Sequence, residues 1–176
     1  ALNIVPTSST TEQIAMGDCL AVAALNLKKF NKNKFKLFHP HGSLGNQLKT
    51  AEDLMISKNG IPFINENSSM KKALDIITKK KLGVLIVRDS KKNTTGIITD
   101  GQIRRSNLKK GNLRDLKVKN IMTKNPISID KDVLAAKSLA IMSDKKITSL
   151  CVQKNPSRNK TIGILHIHHI LNANIQ

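Results

Sequence analysis

The five histidines are the residues whose chemistry is easiest to read from this sequence, and they fall in two short clusters. His39 and His41 flank a proline in a loop, and His166, His168 and His169 lie near the end of the chain. Imidazole, with an ordinary pKa of about 6.5, can transfer protons or bind a metal. Two histidines without a third ligand rarely hold a metal, and we expect His168 to point away from its neighbours. The spacing therefore predicts no metal site.

A run of hydroxyl side chains at residues 7–11 precedes the most apolar segment of the chain. Ser9 and Glu12 have the spacing of a capping box, which predicts that a helix begins there and continues to about Phe30. A helix this apolar on several sides needs more cover than 49 residues supply. We therefore interpret residues 1–49 as the tail of a larger domain. Ala1 in place of an initiator Met indicates a processed or truncated product.

The charge balance bounds the class of protein. The 176 residues carry 30 Lys and Arg against 12 Asp and Glu, a net charge of +18 with a pI near 10.2. Such a field attracts phosphates, nucleic acids or acidic membrane surfaces. Trp and Tyr are absent and only 4 Phe occur, so stacking platforms for single-stranded nucleic acid are missing. We interpret the lysines as solvated surface and expect no nucleic-acid partner, with a basic nucleic-acid binder kept as an alternative.

The sequence also disfavours a membrane-spanning protein and a disulfide-bonded protein of an oxidising compartment. No stretch approaches the roughly 20 apolar residues that a membrane span needs, so we expect no membrane partner. Cys19 and Cys151 are far apart, and neither sits in a CxxC pair. That cysteine usage predicts a reducing, cytoplasmic location.

An internal repeat with a period of about 65 to 67 residues organises the chain after residue 49. A unit of this length is too long for a solenoid repeat and fits a small α/β module. Because one copy of about 60 residues is marginal alone, we expect two copies packed sheet against sheet about a pseudo-twofold axis. The corresponding pairs are Met55 and Met122, Leu74 and Leu139, Ile77 and Met142, Val87 and Val152, and Gly96 and Gly163.

Each copy predicts a helix, a strand, a turn, a strand and a helix, in that order, which gives an α/β (α+β) fold class. In the first copy Ser68 or Ser69 caps a helix with apolar residues at i, i+3, i+4 and i+7, and in the second Asp130 takes that place. β-branched runs predict the strands. The later elements are strands 84–87 and 95–99 with a helix from about Asp100, then strands 147–152 and 161–165 with a helix from His166.

The repeat resembles a tandem pair of CBS domains, with TTGIITDGQIRR in the first copy and KTIGILHIHHIL in the second. The segments VPTSSTTEQIAMGDCLAVAAL and FHPHGSLG are similar to the C-terminal part of a SIS (sugar isomerase) domain, which is flavodoxin-like. In combination they resemble the D-arabinose 5-phosphate isomerase family. The resemblance implies the end of a SIS domain at 1–49, followed by CBS domains at 50–112 and 113–176.

The resemblance implies an aldose–ketose isomerase that interconverts ribulose 5-phosphate and arabinose 5-phosphate for the acidic sugar Kdo of lipopolysaccharide or capsule, without a cofactor. His39 matches the family's catalytic histidine, and Ser8, Ser9 and Thr10 fall where they would bind the sugar phosphate. A loop histidine bonded to backbone, and plain helix capping, are the alternatives. His41 stands where the family has glycine. Other parts of the family's site precede these residues, so we expect this chain alone to be inactive.

Both copies depart from the motif by which CBS domains bind adenosine. In G-h-h-T-x-x-D the Thr and Asp contact the ribose. Here Thr99 is kept, but Gln102 replaces the Asp, and His166 and His169 take both places in the second copy. A lost carboxylate and two gained imidazoles predict a phosphorylated or carboxylated effector, such as a nucleotide or nucleotide sugar, rather than bare adenosine.

Several alternatives stay open at this point. The CBS pair is either a regulatory module, a purely structural dimerising module, or a non-catalytic nucleotide-sensing protein whose leader merely resembles a SIS domain. Arg104 and Arg105 either meet a ligand phosphate or are solvated. Members of the family are usually tetramers, so the resemblance also implies a homo-oligomer.

Overall fold

The chain divides into two units, Ala1–Gly45 and Asn46–Gln176, in a computed structural model that describes residues 5–31, 34–35, 38, 42–110, 113–155 and 159–175. Within these ranges, no helix is both long and apolar enough to cross a membrane.

One long helix, α1 (Ser8–Leu27), dominates the first unit. Thr7 occupies its N-cap without a side-chain hydrogen bond, so the capping box predicted for Ser9 and Glu12 is wrong. The hydroxyl of Thr10 donates instead to the carbonyl of Thr7 at 2.8 Å, which satisfies it within the first turn. The large apolar side chains of α1 are exposed, namely Ile14, Met16, Leu20, Val22, Leu25 and Leu27.

The second unit contains two four-stranded sheets of the same design. After α1 the structure describes these α-helices and strands: α2 (Ser43–Gln47), α3 (Ala51–Leu54), β1 (Ile56–Ser57), β2 (Phe63–Asn65), α4 (Met70–Lys80), β3 (Val84–Arg88), β4 (Thr94–Thr99), α5 (Asp100–Lys110), β5 (Thr123–Lys124), β6 (Ser128–Asp130), α6 (Ala135–Lys145), β7 (Ser149–Gln153), β8 (Thr161–His166) and α7 (Ile167–Asn172). One sheet has the order β2-β3-β4-β5 and the other β1-β8-β7-β6. In each, a parallel pair (β2 with β3, β6 with β7) is followed by an antiparallel pair (β3 with β4, β7 with β8).

The helices that cover the sheets begin differently in the two copies. Ser69 caps α4 by accepting a hydrogen bond from the backbone N–H of Lys72, as predicted. At the start of α6 the N-cap is Leu134, so the cap predicted at Asp130 is wrong. Asp130 closes β6, and its carboxylate accepts from the backbone N–H of Asp132 at 2.9 Å. The Asp130 carboxylate therefore stabilises a local turn that precedes α6 and does not cap the helix.

The first strand of each copy joins the sheet of the other copy. β1 lies near the start of the first copy but pairs with β8 of the second, with Ser57 opposite Gly163. β5 lies near the start of the second copy but pairs with β4 of the first, with Gly96 opposite Lys124. A Cβ on Gly96 would lie 2.6 Å from the sulfur of Met122 and 2.9 Å from a backbone oxygen. Both edge pairings therefore interlock the copies.

A shared core joins the two sheets. The side chains of Ile61, Val84 and Ile86 from the first copy form one buried cluster with Cys151 and Ile164 from the second. Each copy also has its own cluster between its sheet and its helices. This packing agrees with the predicted pseudo-twofold pair, and it places the ends of β4 and β8 on either side of a cleft.

Candidate functional site

A cavity of about 500 Å³ lies between the two copies, at the end of the strands where β4 runs into α5 and β8 runs into α7. The first copy, the β5 segment and the second copy all contribute to its wall. Its lining consists of Leu82, Gly83, Ile97, Thr99, Asp100, Gly101, Gln102, Arg105, Thr123, Asn125, Pro126, Ile127, Lys146, Ile147, Thr148, Ser149 and His166.

Gln102 is held in place by hydrogen bonds on both ends of its carboxamide. Its Oε1 accepts from the backbone N–H of Thr99 at 2.9 Å, and its Nε2 donates to the hydroxyl of Thr123 on β5. The amide therefore links the start of α5 in the first copy to β5, a strand that comes from the second copy. Both residues predicted as effector contacts in the first copy, Thr99 and Gln102, line the cavity.

His166 lines the cavity from the second copy in a neutral form. It is the N-cap of α7, and its Nδ1 accepts from the backbone N–H of His168 at 3.2 Å. An imidazole nitrogen accepts a hydrogen bond only when it carries no proton. Burial, and then the charges of His168 and His169, lowers the pKa of His166 from 6.5. The cavity therefore holds an uncharged imidazole at neutral pH.

The arrangement of the three terminal histidines differs from the predicted one. The ring centroids of His166 and His168 lie 5.0 Å apart, closer than the 6.0 Å between His166 and His169. The expectation that His168 points away is wrong because His166 is an extended N-cap residue, to which helical spacing does not apply. His169 is outside the cavity lining. Its Nδ1 is buried without a hydrogen-bond partner, and burial, then His168, lowers its pKa.

Fixed positive charge reaches the cavity from both copies. Arg105 of α5 and Lys146, which follows α6 with a left-handed φ of 52°, line it together with the carboxylate of Asp100. Asp100 packs over Gly83, where a Cβ would lie 2.8 Å from a carboxylate oxygen. Both neighbouring arginines are exposed, but Arg105 lines the cavity and Arg104 does not.

Sequence reasoning missed Lys146 and the β5 segment as parts of this wall. Lys146 had a usable signal in the repeat, because it corresponds to Lys81, and both residues end a helix in the left-handed region. The role of Thr123 had no such signal, since a two-residue strand carries no periodicity.

The residues predicted to serve the sugar-phosphate site belong to the first unit. Ser8, Ser9 and Thr10 are exposed in the first turn of α1. His39 and His41 lie outside the described residues. Among the residues that are described, no group of three or more His, Cys, Asp and Glu side chains is arranged to hold a metal ion.

Sequence comparison relates the chain to a group of isomerases. It is 37% identical over 175 residues to arabinose 5-phosphate isomerase KdsD of Salmonella typhi and 35% identical over 175 residues to that of Escherichia coli K12. Each match covers 99% of this chain and 52% of the relative. The chain thus spans about half the length of the curated relatives it matches.

Comparison with solved structures and family models relates the second unit to one fold. The CBS-domain containing protein ATU1752 of Agrobacterium tumefaciens is 20% identical with a TM-score of 0.65, covering 73% of this chain and 96% of that one. CBSX2, solved in complex with AMP, is 21% identical with a TM-score of 0.60, covering 71% and 95%. The family model of the CBS domain matches residues 51–109 and 118–175. The chain therefore belongs to the CBS domain family, with its two domains in tandem.

Proposed function

We propose that this chain is the regulatory part of an arabinose 5-phosphate isomerase that interconverts ribulose 5-phosphate and arabinose 5-phosphate for Kdo and lipopolysaccharide synthesis. The observation that carries this proposal is the extent of the match: 99% of the chain aligns with such isomerases, including the residues before the first CBS match at residue 51. Residues 1–49 are then the end of a SIS domain, and 50–112 and 113–176 are the CBS domains of a cytoplasmic homo-oligomer.

The proposed chemistry moves a proton between C1 and C2 of the opened sugar through an enediol. Such a transfer needs an acid or base with a pKa near neutrality, which suits the imidazole of His39. Ser8, Ser9 and Thr10 offer hydroxyls beside the start of α1, where the sugar phosphate would bind. These four assignments rest on the resemblance of the leader to the end of a SIS domain.

The cleft between the CBS domains is the proposed effector site. Arg105 and Lys146 bring two cations to it against the single carboxylate of Asp100, so its field favours an anion. Gln102 stands at the motif position from which a carboxylate would contact ribose, and its amide is hydrogen-bonded to Thr99 and Thr123. An effector whose charge lies in a phosphate or carboxylate group fits this wall better than uncharged adenosine.

A second candidate function is a nucleotide-sensing CBS pair without catalysis. It is favoured by the relatives of the fold, since CBSX2 was solved with AMP and the CBS pair of MJ0100 with S-adenosyl-L-methionine. The two candidates share the cleft and differ in whether the gene product acts on sugar phosphates.

Titration calorimetry of the 176-residue chain with AMP, ATP and CMP-Kdo tests the effector site. We expect at least one of them to bind, and we expect Arg105→Gln to weaken that binding roughly tenfold because a charge-assisted contact is lost. Arg104→Gln is the matched control, with the same charge removed from the same helix outside the cleft, and it should bind as the unmodified chain does. Silence from all three ligands would leave the CBS pair with a structural, dimerising role.

A further inference from the structure

The imidazole of His166 is the one ionisable group of the cleft wall that the structure shows in use as a hydrogen-bond acceptor for a helix cap. Its Nδ1 accepts from the backbone N–H of His168, with 3.2 Å between the two nitrogens. In that state the ring is neutral and its proton is on Nε2. If a proton is added to Nδ1, the nitrogen becomes a donor and this cap is lost.

Burial first, and then the charges of His168 and His169, lower the pKa of His166 and keep its ring neutral. The ionisable groups that share the cavity wall with it are Asp100 and Arg105 of α5 and Lys146 after α6, and those on its own helix are His168 and His169. The two wall cations outnumber the one carboxylate, and the ring is half-buried. Each of these factors disfavours a further positive charge at this point.

An anion in the cleft reverses that balance. A ligand carrying one or two negative charges offsets the charges of Arg105 and Lys146 and brings negative charge into the cavity that His166 also lines. The extra proton then gains a partner, and the hydrogen bond to His168 is the only described contact of the His166 side chain that must break.

We infer that anion binding in the cleft is linked to uptake of a proton from solvent by Nδ1 of His166, which releases the cap of α7. The inference rests on the proposed effector role of the cleft. It makes affinity depend on pH, with tighter binding as the pH falls, and it couples occupancy of the cleft to the last helix of the chain. Arg105 and Lys146 supply fixed charge, whereas His166 supplies charge only when the ligand is present.

Calorimetry with CMP-Kdo between about pH 6 and pH 8, in buffers of different ionisation enthalpy, measures the linkage. The carboxylate and phosphodiester of this probe stay ionised throughout, so a proton taken up on binding goes to the protein. We expect uptake of up to about one proton per ligand and a dissociation constant that falls roughly tenfold from pH 8 to pH 6. In the saturated complex, the amide of His168 should exchange its hydrogen faster than in the free chain.

Two variants assign the proton. His166→Asn keeps a cap acceptor, because Asn is a favoured N-cap residue, but it cannot titrate, so whatever binding the variant retains should take up no proton and should not depend on pH. His169→Gln removes the neighbouring imidazole, whose Nδ1 has no partner, and should keep both. Uptake that survives in His166→Asn, or that disappears in His169→Gln alone, overturns the inference. Binding without any uptake also overturns it and leaves the effector site standing, whereas absence of binding at both pH values removes the effector site as well.

Discussion

The hydroxyl oxygens of Thr94 and Thr161 lie 2.8 Å apart, in equivalent positions at the start of β4 and β8. Both residues are buried, and the backbone N–H of Thr161 also donates to the hydroxyl of Thr94 at 3.2 Å. Because equivalent residues of the two copies contact each other here, they lie close to the pseudo-twofold axis that relates the copies. Their hydrogen bonds add to other directional contacts between the copies, among them the one from the Arg88 guanidinium to the carbonyl of Thr161 at 2.8 Å.

The two threonines should differ in their effect on stability. Thr94→Val leaves both the hydroxyl and the backbone N–H of Thr161 without their partner, which should lower the free energy of unfolding by about 1–3 kcal/mol. Thr161→Val keeps the backbone N–H bonded to Thr94, removes the hydroxyl contacts with Thr94 and with the thiol of Cys151, and should lower it by about 1 kcal/mol. Urea denaturation of both variants measures the difference. A larger loss for Thr161→Val would contradict the hydrogen-bond pattern.

Close packing at the exchanged edge strand makes a second prediction. Gly96→Ala places a methyl group 2.9 Å from the carbonyl oxygen of Thr123 and 2.6 Å from the sulfur of Met122, and should destabilise the fold by about 1–3 kcal/mol. Gly101→Ala is the control, since its nearest neighbour would lie at 3.5 Å and Ala is favoured over Gly in a helix. Equal melting temperatures for the two variants would argue against the β4–β5 pairing.

The repeat allowed much of this fold to be predicted from the sequence. The periodicity after Ser69 and the β-branched run from Val84 identified a helix and a strand of the first copy, because both patterns extend over several residues. The exchange of β1 and β5 between the two sheets was not predicted, although the repeat had matched Met55 with Met122 and Gly96 with Gly163, the residues that pack together across it. Each methionine packs on the glycine of the other copy, and no local pattern tells which copy a short strand joins.

The candidate site was predictable only in part, for a related reason. Thr99 and His166 could be located because they occupy equivalent motif positions. The capping role of His166, and with it the orientation of His168, depends on whether the helix begins at or after residue 166. Sequence patterns place helix ends to within one or two residues, which is too coarse for that question.

The pH dependence of stability follows from the lowered pKa of His166. Its pKa in the folded chain lies below the ordinary value of 6.5, so between the two values the unfolded chain binds more protons. The contribution to stability is therefore complete above about pH 6.5 and is lost as the pH falls through that window. His166→Asn should show a smaller fall in the free energy of unfolding between about pH 7.5 and 5.5. An equally steep fall would remove His166 as its source, leaving His169, whose pKa is also lowered.

The identity of residue 102 should control recognition of ribose. Gln102→Asp restores the carboxylate found at this position in CBS domains that bind adenosine, and we expect it to raise the affinity for AMP roughly tenfold through charge-assisted hydrogen bonds. Gln102→Asn is the control, because it shortens the side chain equally without adding charge. Calorimetry with AMP compares them. Similar affinities for AMP in the two variants would show that the missing carboxylate is not what weakens AMP binding in this cleft.

The most direct test of the account is the rate at which the gene product containing this chain interconverts ribulose 5-phosphate and arabinose 5-phosphate, measured with and without the ligand that binds the cleft. We predict interconversion, with a rate that changes on addition of the ligand in the unmodified protein and in Arg104→Gln, and that responds only at roughly tenfold higher ligand concentration in Arg105→Gln. A protein that does not interconvert the two sugars, or a rate that is the same with the cleft filled and empty, would contradict it.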